Sequence, residues 1–201
     1  MIIQTEEQLR EIYAQPKGRS VAKQLPALEK HSRRFIELSP FMVLASHGSD
    51  GSVDASPRGG EPGFVTVLND NRLIVPDSKG NNRLDGLTNI IATGKIGLIF
   101  MIPGVDETLR VNGNAVLSND PDLLELFRSQ KNPARTVIDV EPLEVYLHCA
   151  KALMRSKLWS IEAQIRRDEL PTMAKMINDQ TGSDDAGESQ ESMVKRYQAD
   201  L

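Results

Sequence analysis

Between Phe41 and His148 the sequence is a succession of short apolar runs cut by turn-forming residues, and this punctuation limits the fold more than any other feature. Phe41–Ser46 reads as a strand, Asp50-Gly51 as a hairpin turn and Val53–Ser56 as the returning strand. Phe64–Leu68 and Leu73–Val75 are joined by Asn69-Asp70-Asn71, a second hairpin signal. Ile96–Ile102 and Thr108–Leu117 follow on either side of Pro103-Gly104, and Thr136–His148 is a long strand in which Pro142 requires an edge or a bulge. A doubly wound parallel sheet needs regular strand–helix alternation, which is absent. About six short strands with few helices predict a mainly β fold with flanking helices, built as a small antiparallel barrel.

Helical patterns frame this core. Thr5-Glu6-Glu7-Gln8 is a capping-box pattern followed by Leu9, Ile12 and Tyr13 on one face, and Pro16 and Gly18 end that helix. A second helical stretch carries Leu25, Leu28, Phe35 and Ile36 to about Leu38, with Pro26 in its first turn or at a kink. Asn81 or Asn82 is expected to cap a helix burying Leu84, Leu87, Ile90 and Ile91, ended by Gly94. Asp120-Pro121 reads as an N-cap and N1 pair. Beyond Ala150 the pattern is helical through Trp159 to Asn178, and Thr181–Glu191 is polar, acidic and expected to be disordered or loosely tethered. The expected layout is one domain: helices at 1–38 packing on the barrel, a core at 39–160, a helical segment at 161–180 and a flexible polar tail at 181–201.

Composition excludes several classes. A chain of 201 residues can bury about 70% of its unfolded surface, so it needs neither disulfides nor metal for stability. Cys149 is the single cysteine, which rules out an intramolecular disulfide framework. Coming directly after His148 in a strand, it faces away from that ring, and it reads as a small buried hydrophobe rather than a nucleophile. The three His residues share no ligand spacing with Cys or carboxylates, so no zinc site is expected. The N-terminus lacks the charged and apolar regions of a secretory signal. The apolar run Ile96–Pro103 is too short for a membrane span. A net charge of −4 argues against nucleic-acid binding. The expectation is a cytoplasmic protein with no membrane or nucleic-acid partner.

Two polar turns are the candidate chemistry. In Ser56-Pro57-Arg58-Gly59, Pro57 fixes φ and Gly59 admits close backbone approach, so Arg58 could clamp a phosphate with the Ser56 hydroxyl assisting. A plain surface turn explains the same residues. In Lys79-Gly80-Asn81-Asn82-Arg83, an Arg in the first turn of a helix opposes the dipole unless an anion lies between it and the amides, which favours an anion site. Lys151 and Arg155, spaced i, i+4, would share a helix face, where a phosphate could relieve their repulsion; a solvated face is the simpler account. Trp159 could wall a ring system or pack as core or lid. No nucleotide-binding glycine loop, nucleophile elbow or carboxylate pair is present, leaving a cofactor as the carrier of any reaction.

The blocks Asp54-Ala-Ser-Pro-Arg-Gly59, Pro62-Gly-Phe-Val65, Pro76-Asp-Ser-Lys-Gly-Asn-Asn-Arg-Leu-Asp85, Ile102-Pro-Gly-Val-Asp-Glu-Thr-Leu-Arg-Val-Asn-Gly113 and His148-Cys-Ala-Lys-Ala-Leu-Met-Arg-Ser-Lys-Leu-Trp159 occur in an order that resembles the pyridoxamine 5′-phosphate oxidase-like FMN-binding family, in its uncharacterised bacterial branch. The resemblance spans roughly residues 35–160. It implies a split β-barrel, a homodimer with FMN at the subunit interface, and a flavin-dependent oxidoreductase acting on a small molecule. A non-catalytic binder or sensor of flavin, or of another phosphorylated ligand, is the alternative. Position by position it implies that Arg58 takes the FMN phosphate or ribityl chain and that Val75 and Pro76 line the cofactor with their backbone. Asn82 and Arg83 would grip the phosphate, and Thr108 and Arg110 would reach in from a neighbouring strand. Lys151, Arg155 and Trp159 would reach in from the C-terminal block, across the dimer. The chain departs from the family at its end: Lys195-Arg196-Tyr197-Gln198-Ala199-Asp200-Leu201 stands where the oxidases carry an Arg-Leu-x-Pro-like tail that holds substrate. The implication is therefore for FMN and not for vitamin B6 oxidation.

Overall fold

The computed structural model describes residues 2–185 and 187–200, the side chains of 199 and 200 excepted. Seven strands form one antiparallel sheet: β1 Phe41–His47, β2 Val53–Gly59, β3 Thr66–Asn69, β4 Arg72–Asp77, β5 Lys95–Met101, β6 Thr108–Ser118 and β7 Thr136–His148. Their spatial order is β2-β1-β5-β6-β7-β4-β3. Among the described residues no ladder joins the outer strands β2 and β3, so the sheet is curled but not closed. Alternation along the strands turns one set of side chains inward: Met42 and Leu44, Leu73 and Val75, Leu98 and Phe100, Leu109 and Val111, Ile138 and Val140 share one buried cluster. Each such side chain stabilises the fold by about 2 kcal/mol before its loss of conformational entropy is subtracted.

Pro142 resolves as a bulge. Asn112 faces Glu144 while Gly113 faces Pro142, leaving Leu143 as the extra residue. Gly113 is required there, since a Cβ would lie 2.1 Å from the Glu141 carbonyl oxygen. The β4 ladder stops at Val140. Beyond it Leu25 bonds Val145 in both directions, at 2.9 and 2.8 Å, covering the edge that β4 leaves free. Pro26 therefore follows an extended strap and not a helix. The second helical stretch divides into α2 Arg19–Ala22 and α3 Lys30–Leu38, after α1 Glu6–Ile12. Glu29 and Ser32 form a reciprocal capping box on α3, whose Ile36 is buried in the core. Leu9, Ile12 and Tyr13 on or beside α1 are exposed.

The helix after β4 begins later than its asparagines suggest. α4 is Asp85–Thr93, its N-cap is Leu84, and no side chain caps it. Asn82 instead adopts a left-handed conformation (φ 60) that short polar side chains tolerate, which delays the helix. Arg83 thus precedes the first turn, and Asp85 within that turn pairs with it at 2.6 Å, so the expected dipole conflict is already answered. α4 buries Leu87 and Ile90, while Ile91 is exposed, and Gly94 ends it in the left-handed conformation.

After α5 Pro121–Glu125, the C-terminal region is more broken than expected: α6 Lys151–Ser156, two 3-10 turns at Ile161–Ala163 and Arg167–Glu169, α7 Met173–Thr181 and α8 Gln190–Asp200. Lys157 in the left-handed conformation stops α6. The polar run Thr181–Glu191 holds the end of α7, an irregular link and the start of α8; Ala186 and Leu201 of the polar tail lie outside the described residues. Cys149 is exposed, against the expectation of a buried thiol, because β7 ends at His148 and the chain turns outward there. Among the described residues no helix is long and apolar enough to cross a membrane.

Candidate functional site

The open seam of the barrel gathers the polar chemistry. Alternation along β2 turns Asp54, Ser56 and Arg58 to the inner side, and Val53, Ala55 and Pro57 outward. The Arg58 guanidinium reaches across the seam and pairs with Asp77 at the end of β4, both side chains largely buried at 24% and 14% exposure. The chain then runs Ser78 to Arg83 along the rim before entering α4. On the other wall, register places Thr136 at the start of β7 opposite Asp77. The Arg135 amide donates to the Asp77 carbonyl (2.9 Å), and the Ser78 hydroxyl donates to the Asn132 carbonyl (2.8 Å). Together these segments enclose a cleft of about 490 Å³, within the size range of small-molecule sites.

Four of its wall residues carry a buried side-chain atom with no hydrogen-bond partner among the described residues: Asp54 Oδ2, Ser56 Oγ, Arg58 Nε and Thr136 Oγ1. Unpartnered buried polar atoms are costly, about 1–3 kcal/mol each, and their gathering on one cleft makes it the candidate site. Two more, Arg110 Nε and Ser160 Oγ, lie elsewhere. Among the described residues four cations line the cleft, Arg58, Lys79, Arg83 and Arg135, against the three carboxylates of Asp54, Asp77 and Asp85. The hydrogen bond from Arg83 to Asp85 holds the guanidinium above its ordinary pKa. Such a surplus of donors around a carboxylate frame suits an anion that also bears hydrogen-bonding groups.

The structure brings Ser56, Arg58, Asn82 and Arg83 to this cleft. Val75 and Pro76 adjoin it in sequence only: the Val75 side chain is fully buried in the core, and half-buried Pro76 pairs with Val137. The remaining positions do not line the cleft and lie toward the far end of β7. Thr108 is buried opposite His148, and Arg110 stacks on the Tyr146 ring with its guanidinium carbon 5.1 Å from the centroid. Exposed Arg155 donates to the Lys151 carbonyl at 3.0 Å, and the Trp159 indole N–H donates to the Val105 carbonyl at 2.9 Å. The 13 residues of β7, roughly 40 Å of extended strand, run from Thr136 on the cleft to His148, just before the block with Lys151, Arg155 and Trp159. Asp54, Ser78, Lys79, Arg135 and Thr136 belong to the cleft without having been singled out. The alternation of β2 signals Asp54, whereas Arg135 and Thr136 arrive by long-range register and leave no local signal.

The fold is a seven-stranded split barrel with a polar cleft at its open seam. The chain belongs to the pyridoxamine 5′-phosphate oxidase family, whose description matches residues 28–149. No curated protein matches the chain in sequence. Among solved structures it is similar to a HupZ variant from Group A Streptococcus, at 13% identity over 60% of this chain and 98% of that one, with a TM-score of 0.50. A Lactobacillus delbrueckii protein provisionally described as a pyridoxamine 5′-phosphate oxidase is 21% identical over 62% and 98% of the two chains, with a TM-score of 0.48. An FMN-binding protein from Syntrophomonas wolfei is 10% identical over 71% and 96%, with a TM-score of 0.45. At these identities likeness speaks to the fold alone.

Proposed function

We propose that the chain is an FMN-binding flavoprotein that performs redox chemistry on a small molecule, working as a cytoplasmic homodimer. The observation that carries this reading is the convergence of four unpartnered buried polar atoms and four cations on one cleft. FMN suits that donor set, having a phosphate for the cations and a polyol for the hydroxyls. When bound, FMN supplies two-electron redox chemistry that no side chain of the cleft can supply. Lys79, Asn82 and Arg83 bind the phosphate on the rim ahead of α4. Ser56 and Thr136 bond the polyol. Arg58, fixed by Asp77, orients the ligand and excludes water from the seam. The Val75–Pro76 backbone forms the neighbouring wall. Thr108, Arg110, Lys151, Arg155 and Trp159 join the site from a second copy, in a two-fold dimer that sets the far end of each barrel against the cleft of the other.

Titration of the full chain with FMN, followed by quenching of flavin fluorescence, tests the binding. Saturable uptake of one FMN per chain is expected; a colourless protein with no uptake overturns the reading. A second reading, a flavin carrier or sensor without turnover, is favoured by cleft walls that, among the described residues, hold no His, Cys or Tyr. Reduction of the bound flavin by NADH or NADPH supports the enzyme, and its failure with either donor supports the carrier.

A further inference from the structure

We infer that Asp54 is a specificity-determining residue that accepts a hydrogen bond from a polyol hydroxyl of the ligand, so that the cleft selects a sugar-alcohol phosphate over a bare ring or a bare anion. The inference rests on the flavin reading of the cleft and deepens it. Along the inner face of β2, Arg58, Ser56 and Asp54 follow one another at alternate positions, about 7 Å apart. Each carries one buried atom without a partner, and the series changes in kind: a guanidinium nitrogen that only donates, a hydroxyl that does both, and a carboxylate oxygen that only accepts. Buried Oδ2 of Asp54 has no donor among the described residues, a costly state for a carboxylate on a cleft wall.

Its surroundings identify the missing donor. Asp54 lies against the start of α4, where a Cβ on Gly86 would come within 2.8 Å of Oδ2, so the carboxylate packs directly on that glycine. It is near enough to Arg83 for its charge to help raise that guanidinium's pKa. Arg83 and the turn before α4 take the phosphate in the proposed site. The part of the ligand one or two bonds from that phosphate is the polyol, whose hydroxyls donate; the ring lies further along. The other carboxylate oxygen, Oδ1, is not among the buried unpartnered atoms of this cleft-lining residue, and it is the oxygen a hydroxyl in the cleft can reach. A phosphate oxygen at the same spot would be repelled.

Asp54→Asn separates these cases, because it keeps the shape and removes the charge. Binding of FMN and of lumiflavin, which has the ring but no polyol, is measured by fluorescence on wild type and variant, with thermal melts of both ligand-free proteins. The expected result is FMN binding weakened about tenfold by Asp54→Asn, lumiflavin binding unchanged, and an equal or higher melting temperature, since an unpartnered carboxylate is lost. Unchanged or tighter FMN binding overturns the inference and leaves the flavin site standing, as does an equal loss for lumiflavin. Wild-type protein that binds no FMN overturns both. Should that variant not fold, Asp54→Ser decides by the same measurements: FMN binding weakened with lumiflavin binding unchanged supports the contact, and unchanged FMN binding overturns it.

Discussion

The cleft and the far end of β7 hold their cations in different ways. At the seam, Arg58 and Arg83 are each answered by a carboxylate, yet four polar atoms on the same cleft have no partner. At the far end the cations form no ion pair among the described residues: Lys151 and Arg155 are exposed on α6, Arg110 is stacked on a ring, and the Trp159 N–H is satisfied by a backbone carbonyl. The seam cations are thus preorganised by carboxylates, whereas the α6 cations at the far end are solvated, and among the described residues only Arg110 Nε and Ser160 Oγ are buried without a partner there. Preorganised cations lose little entropy on binding, and solvated ones must be ordered first. If both ends serve one ligand, the seam sets affinity and the far end adjusts it.

The largest effect that could break this contrast is expected at Arg58. Arg58→Met leaves the mostly buried Asp77 carboxylate without its cation, which should cost about 3 kcal/mol of stability, read from the urea midpoint of the ligand-free protein. The double variant Arg58→Met/Asp77→Asn should recover most of that stability and none of the FMN affinity. Recovery of both would make the pair purely structural and remove Arg58 from the site. Arg83 tests the rim without that complication, since it and Asp85 are both exposed. Arg83→Ala should weaken FMN binding by more than about fivefold, the worth of one ordinary hydrogen bond, with little change in melting temperature. An unchanged dissociation constant would place the phosphate elsewhere.

Thr136→Val sharpens the contrast from the side of stability. The substitution keeps the shape and deletes a hydroxyl that has no partner. FMN binding should weaken by about 1 kcal/mol, while the ligand-free protein melts at the same or a higher temperature. A hydroxyl that served folding would give the reverse, lower stability with unaltered affinity.

These residues also show what a sequence can disclose about such a site. The strands were legible because alternation and turn residues are local: the Asn69–Asn71 hairpin and the Pro142 bulge both stand where composition places them. The start of α4 was not, because Asn82 relieves its backbone in a left-handed conformation before the helix begins, and no capping rule anticipates that. Cys149 was misplaced for a related reason, as strand alternation says nothing about where the strand ends. In the cleft, Ser56 and Arg58 could be read from one turn, and Asp54 from the same alternation. Thr136 could not, since it stands about 60 residues of chain away from Asp77 and meets it only through the β4–β7 ladder.

The smallest expected effect is at the far end, and it decides whether the two ends belong to one site. Within one chain Lys151 and Arg155 stand beyond the far end of β7, which starts at Thr136 on the cleft, and neither lines that cleft. Exposed cations on a helix contribute about 0.5 kcal/mol each to an interaction with an anion. Lys151→Ala/Arg155→Ala should therefore weaken FMN binding only about fivefold, roughly 1 kcal/mol in all. The effect should depend on protein concentration, because a contact made across a dimer disappears when the dimer dissociates. Titrations above and below the dimer dissociation constant, itself measured by sedimentation, provide the check. A loss present in the dimer and absent in the monomer joins the two ends into one site. A loss of the same size in both would mean that α6 acts within its own chain and would overturn the contact across the dimer, and no loss in either would leave the seam to bind the flavin alone.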